Sequence, residues 1–495
     1  MAIAKLLGIE TEYGITSGGP EADPILTSTL LVNAYASNLA HHIRWDFNDE
    51  SPGRDARGAP TPGSMAPMVE MHLANAVLTN GARFYVDHAH PEYSSPECTT
   101  PLEAVLYDRA GEEVLRQAMK AAAEKYPESP EIVVYKNNSD TKGNSYGTHE
   151  NYLLDRAIPF AEIVQAVIPH LVSRQIFCGA GKIGFETPWA DTGPAYQLSQ
   201  RSEFFEEIVG LETTLKRPLV NTRDEPHSDP QRYRRLHIIL GDANMAEVST
   251  YLKLGTTALL LAMLEDGVLN MAKLELANPV DAVRQISADP TLTTSVERSD
   301  GSSISALSIQ EELCAAVSAY VGQEGGSAVG GPGIAQDIVT RWQSTLESLR
   351  RNPLELAGQV DWIAKKRLLD AYGERHGVSY RDSRLRAMDL QYHDLRPERS
   401  LAQRLGLETL VAEADVLRAV TTPPRGTRAW FRGSCLAKFP QQVVTANWDS
   451  LVFDVGRDPL RRIPMMDPLR GTAEHTEALL DEVESVQELV ARLDA

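Results

Sequence analysis

The sequence predicts an α+β fold, and three observations carry that expectation. Segments 5–15, 82–90, 131–138 and 233–240 are short and either alternate apolar with polar residues or are rich in β-branched and aromatic ones, as strands are. Between Pro101 and Tyr126 the residues Leu102, Val105, Leu106, Val114, Leu115, Met119 and Ala122 recur at helical spacing. Residues 251–264, YLKLGTTALLLAML, are apolar on nearly every side, as in a helix buried all round.

Each element follows in chain order. KLLGIETEYGI (5–15) begins apolar and then alternates, so Glu10 and Glu12 project to one face of a strand and Ile9, Thr11 and Tyr13 to the other. Residues 48–67, rich in proline, glycine and mixed charge, bury little and predict a mobile loop, continuing into a short helical stretch around Met68 to Leu78. ARFYVDHAH (82–90) is a second strand. The helix after it opens on Pro101, which suits a first turn. EGGSAVGGPG (324–333) breaks the chain before charged helices that run to about residue 415. TTPPRGTR (421–428) is a second break. It divides a body of residues 1–420 from a small domain, 421–495, whose last helix spans His475 to Leu493.

Composition narrows the function. Of 495 residues, 68 are acidic and 48 are lysine or arginine, a net charge of -20, and 42% are hydrophobic, as in a soluble globular protein. At ~150 residues per domain the length allows about three domains, or one large domain with an appendage. The charge repels phosphate at long range, so generic binding to nucleic acid or anionic membrane is excluded. Cys98, Cys178, Cys314 and Cys435 form no CxxC pair and read as reduced thiols. Glu10 and Glu12 stand where a signal peptide needs an apolar core, and the longest apolar run stops at Glu265, so a cytoplasmic protein is expected.

Two motifs are decoys. Gly179, Gly181 and Gly184 match GxGxxG but follow a helix ending near Phe177 rather than a strand, and Lys182 lacks the residues of a phosphate-binding loop. His149 and Glu150 open HENYL without the second histidine of a zinc protease helix.

The chemistry-bearing residues lie on the strands. Glu10 and Glu12 on one face repel unless a cation lies between them, and a hard ion such as magnesium takes oxygen ligands; a solvated polar face is the alternative. Arg83, Tyr85 and Asp87 share a face of the second strand, and HPEYSSPE adds Glu92 and Glu97 beyond a turn at the proline. GTHEN supplies His149, Glu150 and Asn151. RRLHIILGDANMAE supplies Arg235 and His237 on one face, then Asp242, Asn244 and Glu247. An arginine pairs with phosphate, and a carboxylate binds metal or accepts a proton.

In order along nearly the whole chain, GIETEYG, RFYVDHAHPEYSSPE, SYGTHENYLL, RRLHIILGDANM and TANWDSLVFD resemble the family of Pup deamidases and depupylases (Dop), sister to the Pup ligases (PafA). Both resemble the carboxylate-amine ligase group that includes glutamine synthetase. The resemblance implies a large domain with a curved, mostly antiparallel sheet flanked by helices, plus a small carboxyl-terminal domain. It makes Glu10, Tyr85 and Glu92 magnesium ligands, Arg83, Ser95 and Trp448 ATP contacts, and Asp87 the catalytic aspartate. The Gly8, Ile9, Glu10, Thr11, Glu12 strand would run beside the nucleotide, with His149, Asn151, Arg235 and His237 as further nucleotide or metal contacts. The His88-Ala89-His90-Pro91 stretch and the 48–78 insertion favour the deamidase over the ligase.

The implied reaction is hydrolysis of a side-chain amide: the carboxyl-terminal glutamine of Pup becomes glutamate, and the isopeptide bond from that glutamate to a substrate lysine is cut. ATP, or ADP plus phosphate, and magnesium are the implied cofactors. Pup, pupylated proteins and the bacterial proteasome are the implied partners. Because Pup-like modifiers are acidic, a local cationic track is expected, and Arg223, Arg232, Arg234 and Arg235 are candidates; salt bridging to Asp224, Glu225 and Asp229 is the alternative. An ATP-dependent Pup ligase, a small-molecule glutamate ligase and a nucleotide-binding regulator without catalysis are the competing functions.

Overall fold

The computed structural model describes the chain apart from residues 19–22, 41–42, 48–49, 59–73, 187–192, 324 and 494–495. Six strands form its central sheet: β1 (Leu7–Glu12), β2 (Asn75–Val77), β3 (Arg83–Asp87), β4 (His90–Ser94), β5 (Thr148–Asp155) and β6 (Tyr233–Ile238). They lie in the order β6-β5-β1-β4-β3-β2, and every pairing is antiparallel. In antiparallel pairing, residues opposite each other share a face. Glu10 stands opposite both Ser94 and His149, Glu12 and Tyr85 opposite Glu92, and Asn151 opposite His237. The polar residues that alternate along each strand therefore collect on one side.

The other side is the core. Ile9, Phe84, Val86, Tyr93, Tyr152, Leu154, Leu236 and Ile238 are buried there, against the helices Pro24–Ala36, Pro101–Lys125 and Glu247–Glu265. Thr100 caps Pro101–Lys125 by accepting from the Glu103 amide, and the Glu103 carboxylate accepts from Thr99 in return. The predicted helix at 251–264 is present within Glu247–Glu265, where every residue from Glu247 to Met263 is buried. Its one buried ammonium, Lys253, is satisfied by the Asp242 carbonyl at 2.7 Å and Asn244 at 2.9 Å.

A second hydrophobic cluster gathers the carboxyl-terminal residues. The helix Arg428–Lys438 and the strands Val443–Ala446, Ser450–Phe453 and Arg461–Pro464 enclose Phe431, Cys435, Leu451 and Phe453, with Val486 and Leu489 from the last helix. Arg44–Trp45 pairs in parallel with Val443–Ala446, and Ile43, Trp45 and Val77 complete the cluster. This core draws on residues far upstream of 421.

Three local expectations need correction. The helical stretch expected at Met68 to Leu78 lies partly outside the described residues, and Asn75–Val77 is strand β2, because the Thr79-Asn80-Gly81 turn folds it onto Arg83, Phe84 and Tyr85. The strand expected at 82–90 ends at Asp87: His88 has φ +49°, and the chain turns through Ala89 into β4, which carries Glu92. The single helix expected over His475 to Leu493 is two, Ala473–Glu482 and Val486–Leu493. Ser485 accepts from the Glu488 amide and Glu488 from the Glu484 amide, so a capping pattern restarts the helix.

Gly111 shows how closely the helix seats on the sheet. A Cβ there would stand 2.5 Å from Cδ1 of Tyr93, whose hydroxyl is held by Asn80 at 3.1 Å. Alanine gains about 1 kcal/mol of helix propensity, but overpacking costs ~1–3 kcal/mol. Gly111→Ala is expected to lower the thermal melting temperature; an increase would show that the Tyr93 ring yields.

Candidate active site

The polar face of the sheet opens into two adjoining cavities. One is acidic and lined by Glu10, Glu50, Arg83, Tyr85, Asp87, Glu92, His149 and Arg223. The other is mostly apolar and lined by Leu6, Leu7, Gly8, Ile9, Ser95, Glu97, Asn151 and Arg428. Glu10, Ser94, His227, Arg235 and Trp448 belong to both, so Glu10 sits at their junction.

Glu10 is the hub of a polar network. Asn151 donates to it at 2.9 Å, His149 lies at 3.3 Å and Arg235 at 3.5 Å. Arg235 also donates to Asn151 at 2.5 Å and to the Glu225 carbonyl at 2.7 Å. Burial alone would raise the Glu10 carboxyl, but the bond from His149 and the charge of Arg235 hold it well below its usual range. His237 is neutral for the opposite reason: burial depresses it far below an ordinary histidine, and its Nε2 is buried with no hydrogen-bond partner among the described residues.

At the other end carboxylates meet. Glu12, Asp87 and Glu92 bring ligand oxygens within 4.8 Å of one another, and Glu10, His149 and His237 form a second such group. Burial and then the charges of Asp87, Glu10 and Glu12 push Glu92 well above the carboxylate range. Tyr85 donates to Glu92 at 2.6 Å and Ser94 at 3.1 Å. Asp87 behaves oppositely: burial would raise it, but His88 at 2.9 Å, with His149 and Arg223, keeps it lowered. A carboxyl pushed up by burial among like charges is what a cation would relieve. The donor set fits a hard ion.

The expected site residues are placed as follows. Glu10, Arg83, Tyr85, Asp87, Glu92, His149, Arg235 and Trp448 line the acidic cavity; Gly8, Ser95 and Asn151 line the apolar one. Arg83 stacks on the Tyr85 ring at 3.8 Å and on Trp45 at 4.2 Å. Ser95 accepts from the Ile9 amide at 2.9 Å, fastening β1. Glu12 accepts from the Gly147 amide at 2.8 Å at the acidic end. Ile9 buries its side chain in the core, although the residue borders the apolar cavity. Thr11 faces away, 1% exposed, because strand alternation turns it from Glu10 and Glu12. The metal set expected as Glu10, Tyr85, Glu92 and His149 is split between the two ligand groups, which add Glu12, Asp87 and His237, and Tyr85 belongs to neither.

Several candidates serve the fold instead. Glu97 leaves the carboxylate group and pairs with Arg428 at 2.7 Å and Arg432 at 2.6 Å. Glu150 pairs with buried Arg174 at 2.6 Å, Asp242 accepts from the Ala180 and Gln200 amides, Asn244 donates to Asp361, and Glu247 binds the Leu410 and Val411 amides. The four arginines do not share one track. Arg232 pairs with Asp467 at 3.0 Å, Arg234 stands 3.9 Å from Asp224 and Arg235 3.9 Å from Glu225, and Arg223 and Arg235 line the acidic cavity.

The described part of the 48–67 segment is docked. Ala56 donates to the Thr222 carbonyl and Asp224 to the Arg54 carbonyl, which sets Glu50, Pro52 and Gly53 at the cavity wall. Sequence reasoning missed Glu50 and His227. His227 sits in a loop without periodicity, at φ +47°, where only a tertiary contact signals it.

A model of the family described as Pup-ligase protein matches residues 5–452. The chain belongs to that family. Among its relatives is a protein named Depupylase from Acidothermus cellulolyticus, 49% identical over 504 residues and covering 99% of each chain. A Pup deamidase/depupylase from Mycobacterium tuberculosis is 48% identical over 508 residues, again 99% of each. Of solved structures, the ligase PafA in complex with Pup aligns with TM-score 0.81 and 30% identity, covering 99% of this chain and 94% of that one. PafA in complex with ADP aligns at 0.75 and 34%, covering 84% and 92%.

Glu97 yields a pH test. Burial opposes its charge, yet Arg432 and Arg428 hold it at about 2, against 4.5 for an ordinary glutamate. A depressed acid contributes stability that is complete above the unfolded value and is lost as pH falls through the folded one, here of the order of 3 kcal/mol. The melting-temperature gap between the parent and Glu97→Gln is expected to close as pH drops from about 4.5 to about 2. A gap independent of pH would show that the ion pairs are not the cause.

Proposed function

We propose that the chain is a hydrolase of the Pup pathway, which converts the carboxyl-terminal glutamine of Pup to glutamate and cleaves the isopeptide bond between that glutamate and a lysine. The single observation that carries the reading in the geometry is Asp87: a carboxylate held low by His88 and its cationic neighbours, lining the acidic cavity beside Glu92, which burial and like charges raise. Near-complete alignment with proteins named for deamidation and depupylation supports hydrolysis over ligation.

Both bonds join nitrogen to the same γ-carbonyl carbon. Hydrolysis adds hydroxyl to that carbon and passes a proton to nitrogen, so ammonia or a lysine amine leaves. Asp87 takes the proton from water or attacks the carbonyl itself, and either role needs it charged. His88 and Arg223 secure that state. Trp448 and the loop at Pro52 and Gly53 wall the acidic cavity.

The cofactor reading is part of this proposal. Glu10, Glu12 and Glu92, with Tyr85 and His149 beside them, would hold magnesium, and Gly8, Ile9, Ser95, Asn151, Arg235, His237, Arg83 and Trp448 would border ATP or ADP plus phosphate. When bound, magnesium would supply positive charge that polarises a carbonyl or activates water. The unpartnered Nε2 of His237 and the raised Glu92 are the features that support it.

Three further readings belong here. The antiparallel six-stranded sheet supports the glutamine synthetase-like, curved-sheet arrangement, and the second hydrophobic cluster supports a small domain from about residue 421. Work in the cytoplasm is supported by four buried free cysteines, and a functional connection with the proteasome by the Pup-pathway names of the relatives. Among the described residues no helix is long and apolar enough to cross a membrane.

The test is incubation with magnesium, ATP and Pup ending in glutamine, read by mass spectrometry. Conversion of amide to acid is expected; unchanged Pup, or conjugation of Pup ending in glutamate to protein, would overturn the reading. Asp87→Asn keeps size but loses the charge, and is expected to lower both hydrolyses at least about 100-fold with nucleotide binding kept. Near-normal activity would remove Asp87 from the mechanism. Glu10→Ala is expected to weaken ATP binding in magnesium about tenfold, since a hard cation loses one of few oxygens. Equal affinities by calorimetry would make Glu10 a bystander.

A further inference from the structure

The apolar cavity has two walls of different origin. One is sheet: Gly8 on β1, Ser95 just past β4, and Asn151 on β5. The other comes from the carboxyl-terminal part, through Arg428 and Trp448. Glu97 bridges them. It follows Ser95 by two residues, and its carboxylate receives Arg428 Nε at 2.7 Å and Arg432 Nη2 at 2.6 Å. The Glu97 carbonyl also accepts from Thr427, at the start of the helix that bears both arginines, at 2.9 Å.

Arg432 continues the connection. Its Nη1 donates to the Trp448 carbonyl at 2.9 Å, and its guanidinium lies 5.2 Å from the Trp448 ring. It donates as well to the Gly81 carbonyl at 2.8 Å, in the turn that leads into β3. Trp448 then meets Trp45 edge-on at 5.2 Å, and Trp45 carries Arg83. A two-pronged carboxylate–arginine contact fixes orientation as well as distance. Its side chains are 16%, 4% and 1% exposed for Glu97, Arg428 and Arg432, so water does not loosen it.

We propose that Glu97 is a positioning residue for the nucleotide: by holding Arg428 and Arg432 it sets the Trp448 wall of the apolar cavity against the sheet. This rests on the reading that the cavity takes ATP or ADP. Glu97 touches no reacting atom. It sets affinity by fixing the gap between the walls, since a site held loosely by its supports loses binding without losing its contacts.

Glu97→Asp separates this from plain stabilisation, because it keeps the charge that the arginines need and withdraws the carboxylate by one methylene. ADP affinity by calorimetry, and the ATP concentration that half-saturates Pup deamidation, are expected to shift about tenfold, as in Trp448→Ala, with kcat at saturating ATP falling far less. Arg432→Lys, which keeps the charge but loses the fork to Glu97 and Trp448, takes its place if Glu97→Asp does not fold. A lower melting temperature with unchanged ADP affinity and half-saturation in these variants overturns the inference, as does a Trp448→Ala protein that binds ADP normally. A parent protein that binds neither nucleotide overturns instead the reading of the cavity.

Discussion

Carboxylates on one face of one sheet are the constraint around which the site is organised. Glu10, Glu12, Asp87 and Glu92 come from three adjacent strands, and antiparallel register brings them together. Their mutual repulsion is settled in two ways. At the Glu10 end, His149, Arg235 and Asn151 surround the charge and satisfy it. At the Glu92 end the donors are the hydroxyls of Tyr85 and Ser94, no cation pairs with it among the described residues, and burial with the neighbouring charges raises the acid. The contrast between the two ends separates a neutralised carboxylate from a cluster suited to a cation.

The face would be a shallow surface without its walls. Trp448, in the loop between Val443–Ala446 and Ser450–Phe453, closes one side, and the loop through Glu225 and His227 closes another. The Ser51–Gly58 segment is tied to that loop by backbone bonds at Thr222 and Asp224. Arg44–Trp45 joins the carboxyl-terminal sheet edgewise and places Trp45 between Trp448 and Arg83. Packing of distant segments thus converts an acidic surface into a cleft, where lower effective dielectric makes each charge count for more.

Arginine content illustrates how neighbours in sequence part in space. Arg232, Arg234 and Arg235 are nearly consecutive, but Arg232 lies before the pairing strand and bonds Asp467, and alternation sends Arg234 and Arg235 to opposite faces. The same alternation splits His149 from Glu150: one borders the acidic cavity and the other forms a buried pair with Arg174. A cluster in sequence on a strand is two half-clusters in structure.

Local pattern alone was enough to identify β1, β3, the two long helices and the face shared by Glu10 and Glu12, because side-chain periods of 2.0 and 3.6 are properties of the backbone and appear wherever it is regular. It also singled out Arg83, Tyr85, Asp87, His149, Asn151, Arg235 and His237, which alternate on strands. It failed where geometry is irregular or partners are remote: the turn at His88 that puts Glu92 on its own strand, the β2 hairpin, the break at Ser485, and the loops bearing Glu50 and His227. Glu97 is the sharpest case. Its motif places it beside Glu92, yet two arginines more than three hundred residues away along the chain claim it, because a buried carboxylate goes to whichever cations the fold buries with it. Which residues could bear charge chemistry was a property of the chain; which of them face a common cavity, and which are used up in holding its walls, was decided by strand order and long-range ion pairing, neither of which any local window of sequence contains.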